Sequence, residues 1–261
     1  MSPIENRINK LFVEKNRRIL SIYFTAGYPK LDTTAEIISE LEEVGVDLIE
    51  IGMPFSDPLA DGPTIQDSSQ VALNNGMSIT LLFDQLKEIR NSIQIPLILM
   101  GYLNPILQYG IQDFCEKCSV IGIDGLIIPD MPLDFYTNDY KDIFEKHDLK
   151  NILLITPQTS EERIREIDSN SNGFIYAVSS YSITGAKTGI SEEQIEYLNR
   201  IRSYNLKNPI VVGFGISDKE SFTKVTEHAD GAVIGSAFIK AISNGEDLPS
   251  AIKNFISSIK N

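Results

Sequence analysis

The chain has little cysteine, few basic residues and no long apolar run, and each shortage removes a class of function. Cys115 and Cys118 are the only cysteines in 261 residues. Their CxxC spacing invites a redox or metal reading, but no second CxxC and no neighbouring histidine completes a zinc set. They fall in the helical stretch 111–118, so packed thiols are expected, free cysteine being among the most buried residue types. Lysine and arginine number 23 against 36 acidic residues, a formal net charge of -13. A partner bound by neutralising a phosphate backbone needs clustered basic charge, so no nucleic-acid partner is expected. A small phosphate ester stays possible, because backbone N–H groups at helix N-termini hold anions without lysine.

No apolar run approaches the roughly 18–20 residues that span a bilayer. The start, Met1-Ser2-Pro3-Ile4-Glu5-Asn6, lacks the charged-then-apolar layout of a secretion signal. The expectation is a protein that stays in the compartment where it is made, off the membrane. No Pro-, Gly- or Ser-rich linker and no low-complexity tract interrupts the chain, so residues 1–261 are expected to form one domain.

What the sequence does contain is a repeated alternation. Short β-rich apolar runs occur at 19–25, 48–52, 97–101, 125–128, 152–155, 174–178, 210–213 and 231–234. Between them lie segments of helical periodicity, among them 33–44, 79–90, 136–147, 192–201 and 219–227. Continuously apolar strands alternating with helices indicate a parallel sheet covered by helices. Eight such units in a chain of this length predict an α/β fold, the closed (β/α)8 TIM barrel. An open doubly wound sheet is the alternative. Extra helices are expected before the first strand (3–13), after the second, and at the end (249–259).

Barrel active sites lie at the C-terminal ends of the strands. Glu50 interrupts the apolar run Leu48-Ile49-Glu50-Ile51-Gly52, where a charge is costly unless it has a partner or faces a cavity. The following loop, Met53 through Gln66, carries three prolines and two aspartates. Asp57 before Pro58, and Asp61 before Gly62-Pro63, also suit a turn or a helix cap. Two carboxylates in unlike surroundings can divide acid and base duties; Glu50 would be the tuned group and Asp61 a solvated, fixed anion. Thr184-Gly185-Ala186, Gly213-Phe214-Gly215-Ile216-Ser217 and Gly235-Ser236 put glycine turns where three late strands end. Glycine lets backbone approach an oxyanion, and Ser236 opens a helix, so these turns read as a phosphate site.

The stretch Glu50 to Gln66 resembles the alpha chain of tryptophan synthase, as do Phe24-Thr25-Ala26-Gly27-Tyr28-Pro29, Met100-Gly101-Tyr102-Leu103-Asn104-Pro105, Pro129-Asp130-Met131-Pro132 and Gly213 to Ser217. The resemblance covers nearly the whole chain. It implies a lyase that splits indole-3-glycerol phosphate into indole and glyceraldehyde 3-phosphate, with indole passed to a beta chain in an α2β2 tetramer. By position it implies Glu50, Asp61 and Tyr176 as catalytic residues. It places Tyr23, Thr184, Gly185, Phe214, Gly215, Gly235 and Ser236 around the substrate, Tyr23 standing where the family often has phenylalanine. Asp57, Pro58, Asn104, Pro105 and Asp130 match contact loops for the beta chain. No metal or organic cofactor is implied for this chain, and pyridoxal phosphate belongs to the beta chain. A cytoplasmic location follows by the same resemblance, with a plastid stroma as the alternative. Two departures stand out: Leu133-Asp134-Phe135 replaces acidic residues at the start of the helix after strand four, and Ser182 stands where glycine is common in the strand-six loop. A free-standing lyase that releases indole, and a non-catalytic barrel that only activates a partner, remain the competing readings.

Overall fold

A computed structural model describes residues 6–178, 190–213, 215–245 and 247–260. Eight parallel strands close on themselves in chain order. They are β1 (Ile19–Thr25), β2 (Leu48–Gly52), β3 (Leu97–Met100), β4 (Gly125–Ile127), β5 (Lys150–Ile155), β6 (Ile175–Val178), β7 (Ile210–Gly213) and β8 (Gly231–Ile234). β8 returns to β1, pairing Ile19 with Gly231 and Ile22 with Ile234. The closed-barrel expectation holds, and no strand shifts by more than two residues from its predicted run.

The period of two along each strand sorts the apolar side chains into two cores. Leu20, Ile22 and Phe24 of β1 join Ile49, Ile51, Leu97, Leu99 and their counterparts in the shell between strands and helices. Ile19 and Tyr23 point the other way, with Leu48, Ile98, Ile127, Ile152, Tyr176, Val211 and Val233, and fill the barrel itself. Polar residues on that inner face are therefore conspicuous: Ser21, Thr25 and Glu50 are all wholly buried.

The extra helices fall where expected. Arg7–Glu14 precedes β1, and its N-terminus is capped by Asn6, whose side chain accepts from Ile8 N–H at 3.0 Å. Ile8 of this helix joins the inner core, and Phe12 meets Phe174 with ring centroids 5.7 Å apart. The helix thus plugs the N-terminal end of the barrel and leaves the C-terminal end for chemistry. After β2 the chain forms two helices, Pro63–Asn74 and Ile79–Leu86, and after β8 the helix Leu248–Lys260 ends the fold.

One predicted helix is built differently. The segment 136–147 follows directly on a short α-turn at Leu133–Phe135, begins as a π-turn at Tyr136–Tyr140 and continues as α-helix at Lys141–Lys146. Eight residues of ordinary α-helix overshoot two turns by about 80°, which would splay Tyr136 from Phe144. A wider turn lowers the rotation per residue, and both rings are fully buried with centroids 5.4 Å apart.

Candidate active site

Glu50 lies in the C-terminal half of the barrel, two residues before β2 ends at Gly52, opposite Tyr23 of β1 in the strand register. Its side chain is 0% exposed. Ser21, two residues earlier on the same inner face of β1, donates its hydroxyl to Glu50 Oε1 at 2.9 Å. Oε2 is buried with no hydrogen-bond partner among the described residues, and none of the ion pairs found there involves Glu50. Loss of water around the carboxyl raises its pKa to about 8, and the Ser21 hydroxyl opposes that rise. A carboxyl that titrates near neutrality can both give and take a proton.

Asp61 closes the loop after β2, just before Gly62 and Pro63 start the next helix. Its N–H bonds Pro58 O at 3.1 Å, and Gln66 reaches back to Asp61 O at 2.9 Å. Asp61 Oδ2 accepts the hydroxyl of Tyr102 at 2.9 Å, while that same oxygen of Tyr102 accepts Ala60 N–H at 2.9 Å. Its position in a loop predicts a solvated anion; instead Asp61 is only 8% exposed. Desolvation pushes its carboxyl above the ordinary range, and the Tyr102 hydroxyl pulls it back. A fixed acceptor results, held by neighbours rather than by water.

Two tyrosines complete the wall. A Cβ built on Gly52 would fall 2.2 Å from the Tyr23 hydroxyl, and one built on Gly213 would fall 2.0 Å from the Tyr176 hydroxyl. Each ring therefore occupies the space a side chain on the next strand would need. Burial raises both phenols far above their usual range, so both stay neutral donors. Each lies in the fields of Glu50 and Asp61. Glu50, Asp61, Tyr23, Tyr176 and Tyr102 thus converge at one strand end.

Beside them lies a narrow recess lined by Tyr23, Phe55, Asp61, Met100, Tyr102 and Pro129 among others. A larger hollow of about 60 Å³, near Arg17, Arg202, His228 and Asp230, sits where β7 and β8 begin. It is at the far end of the barrel from the carboxylates, and strand-end chemistry favours the smaller recess.

Gly215, at φ 79°, and Gly235 with Ser236, at the start of the helix Ser236–Ile242, stand where β7 and β8 end. Gly235 meets the Tyr23 ring, since a Cβ there would lie 3.2 Å from Cδ1, which ties this turn to the carboxylate cluster. Thr184, Gly185 and Phe214, with Ser182, lie outside the described residues. Asp57 and Asp130 are exposed and Pro58 half-buried on the loops after β2 and β4, while exposed Asn104 and half-buried Pro105 lie in the first turn of the helix Leu103–Tyr109 after β3. Asp130 also has a local duty: its Oδ1 accepts Leu103 N–H at 2.9 Å at the start of the helix Leu103–Tyr109. Cys115 and Cys118 are wholly buried in the helix Ile111–Ile121, as packed thiols.

Sequence reasoning missed Ser21 and the bond from Tyr102 to Asp61. Ser21 left a trace: Ser21, Tyr23 and Thr25 alternate with Leu20, Ile22 and Phe24, the pattern of a strand with polar groups on its inner face. Tyr102 left none, being 41 residues from its partner.

Comparison with known proteins agrees with this geometry. The family model described as tryptophan synthase alpha chain matches residues 10–260. The tryptophan synthase alpha chain of Flavobacterium psychrophilum is 60% identical over 254 residues, spanning 97% of this chain and 99% of that one. The protein of the same name from Parabacteroides distasonis is 52% identical over 255 residues, spanning 98% and 99%. Among solved structures, the tryptophan synthase subunit alpha of Legionella pneumophila superposes with a TM-score of 0.88 at 34% identity over 97% of each chain. A mutant alpha-subunit from Pyrococcus furiosus gives 0.85 at 33% identity, covering 93% of this chain and 98% of that one. With its fold, its strand-end carboxylates and these relatives in agreement, the chain belongs to the tryptophan synthase alpha chain family.

Proposed function

We propose that the chain performs its family's reaction, cleaving indole-3-glycerol phosphate to indole and glyceraldehyde 3-phosphate, with Glu50 as the group that moves the protons. The observation that carries this assignment is a fully buried carboxyl with no ion-pair partner among the described residues, raised to about 8, and opposite Tyr23, which lines a recess edged by a second carboxyl. At neutral pH Glu50 is mostly protonated. It gives its proton to C3 of the indole, which breaks the ring's aromaticity and leaves positive charge on the heterocycle. The carboxylate so formed takes the proton of the side-chain hydroxyl next to the scissile bond. As that oxygen becomes an aldehyde, the bond's electron pair returns to the ring and restores indole. Glu50 ends protonated, and the atoms balance.

Asp61 accepts a hydrogen bond from the indole N–H and stabilises the positive charge that develops there. Its loop position is held by Tyr102, so little reorganisation accompanies the step. Tyr176 positions these groups, and Tyr23 forms part of the indole wall. The turns at Gly215, Gly235 and Ser236 receive the phosphate through backbone N–H groups. No cofactor is required of this chain, because the protonated indole is itself the electron sink. Replacing Glu50 by Gln should lower indole release from indole-3-glycerol phosphate by at least about 100-fold with an unchanged circular dichroism spectrum. Retained activity in that variant would remove Glu50 from the mechanism and with it this assignment of roles.

A beta chain is the proposed partner, in an α2β2 assembly, with the loops after β2, β3 and β4 as the docking rim. Leu59 is 86% exposed beside Asp57 and Pro58, and Leu107 is 41% exposed in the helix that carries Asn104 and Pro105, apolar surface on segments that resemble the family's contact segments. Mixing with the cognate beta chain should give co-elution on gel filtration and a faster lyase reaction. If the chains elute apart and the rate does not change, the free-standing enzyme is the correct reading.

A further inference from the structure

β1 carries three polar residues along its inner face, and the deepest of them, Ser21, has no access to solvent. A hydroxyl in such a place costs stability unless it is bonded, and among the described residues its hydrogen bond goes to Glu50 Oε1 at 2.9 Å. In the strand register Ser21 stands opposite Leu48, while Tyr23 stands opposite Glu50. The hydroxyl therefore holds the carboxyl from the layer beneath it. The two oxygens of Glu50 are made unequal: among the described residues Oε1 is occupied by a donor, and Oε2 has none.

We infer that Ser21 is a positioning residue for the lyase reaction, one that reserves Oε1 as an acceptor so that the proton exchanged with substrate rides on Oε2. This inference rests on the acid/base reading of Glu50. A carboxylic acid carries its proton on one oxygen and accepts best at the other, so a permanent donor at Oε1 leaves Oε2 as the acidic oxygen. After the proton leaves for the indole ring, the same donor stabilises the carboxylate. Because the bond is stronger to the charged than to the neutral form, Ser21 also holds Glu50 nearer neutrality than burial alone would. The other titratable groups facing this site are Tyr23 from β1, Tyr176 from β6, Asp61 from the loop after β2 and Tyr102 beyond β3. The tyrosines are raised and stay neutral through the working range, leaving Asp61 as the second carboxyl of the site among the described residues.

The test compares Ser21→Thr with Ser21→Val, a pair of similar shape that keeps or loses the hydroxyl, in the purified full chain. Since the protonated form of Glu50 starts the reaction, kcat/KM falls on the alkaline side as Glu50 ionises. The valine variant should shift that limb upward by about one pH unit and lower kcat at neutral pH more than it raises KM; the threonine variant should restore the wild-type profile. A carbon-13 titration of the Glu50 carboxyl, assigned by its disappearance in Glu50→Gln, should show the same upward movement without reference to activity. Ser21→Ala serves the same comparison if the valine side chain prevents folding. Equal profiles for the hydroxyl and hydroxyl-free variants, or a downward shift, overturn the inference. Wild-type activity in Glu50→Gln would instead overturn the reading of Glu50 itself, so the two failures are separable.

Discussion

The ring of Tyr176 fills the space above Gly213, so that a Cβ at Gly213 would fall 2.0 Å from the phenol oxygen and 2.3 Å from Cε1 and Cζ. β6 and β7 run side by side here, Val178 opposite Gly213, and Tyr176 leans along them toward the strand ends. Gly213→Ala must push the ring into the recess or off its rotamer, at about 1–3 kcal/mol. Loss of activity of at least about tenfold should accompany it, because a misplacement near 1 Å is enough to spoil a reacting geometry. Adding Tyr176→Phe should not help, since ring carbons are also too close. Adding Tyr176→Leu should recover the stability but not the activity. Urea unfolding midpoints and indole release on the three variants decide the matter.

Glu50 weakens the fold it serves. Its pKa is raised from an ordinary 4.5 to about 8 by burial, so the folded chain holds a proton that the unfolded chain releases. By linkage, this group's contribution is most favourable below about pH 4.5 and is lost as pH rises through about 8. Glu50→Gln removes the ionisation and should be more stable than the natural chain by about 2–4 kcal/mol at pH 8, with little difference near pH 5. Thermal unfolding of both proteins at the two pH values measures it. Equal stability at pH 8 would mean that Glu50 titrates near its ordinary value.

Tyr102 clamps the loop that carries Asp61. One oxygen donates to Asp61 Oδ2 and accepts from Ala60 N–H, both at 2.9 Å. Tyr102→Phe frees both partners, but Ala60 is exposed and water can replace that bond, so stability should fall by only about 1 kcal/mol. Asp61 loses the group opposing its desolvation, and kcat/KM should drop roughly tenfold, a charged hydrogen bond being worth about 1.5–3 kcal/mol. An unaltered kcat/KM would show that the loop holds Asp61 without the phenol.

What the sequence disclosed and what it hid follow from the range of the forces involved. Alternation along a strand is local, so the eight runs and the inward set of Ser21, Tyr23 and Thr25 could be read from neighbours in sequence. Glu50 was legible because a charge in an apolar run is locally anomalous. The bond from Ser21 to Glu50 spans 29 residues and depends on the register of β1 against β2, which no local pattern sets. The burial of Asp61 depends on Tyr102 arriving from another strand end. The π-turn at Tyr136–Tyr140 is likewise a tertiary demand, that two rings face one core, imposed on a segment whose own periodicity reads as plain helix.

The opposite end of the barrel supplies a control in which stability should change and chemistry should not. Asp124 is 3% exposed and binds Arg7 at 3.1 Å, with Arg90 as a second cation and Leu97 N–H donating to it at 2.9 Å. Asn6 adds a bond to Asp124 O at 3.0 Å and to Asp148 O at 2.8 Å, so the plugging helix Arg7–Glu14 is tied down through the same residue. Asp124→Ala would leave the nearly buried Arg90 guanidinium without its counter-charge and Leu97 N–H without an acceptor. Removing one partner from a buried ion pair costs about 3–5 kcal/mol, which for a chain of this size lowers the melting temperature by roughly 10 °C. Arg7→Ala, whose side chain is 29% exposed, should cost only about 1 kcal/mol. At a temperature where every variant is folded, indole release should stay within about twofold of the natural chain, because strand N-termini stabilise barrels while strand C-termini carry the chemistry. A large loss of kcat in folded Asp124→Ala would show that the two ends of the barrel are coupled.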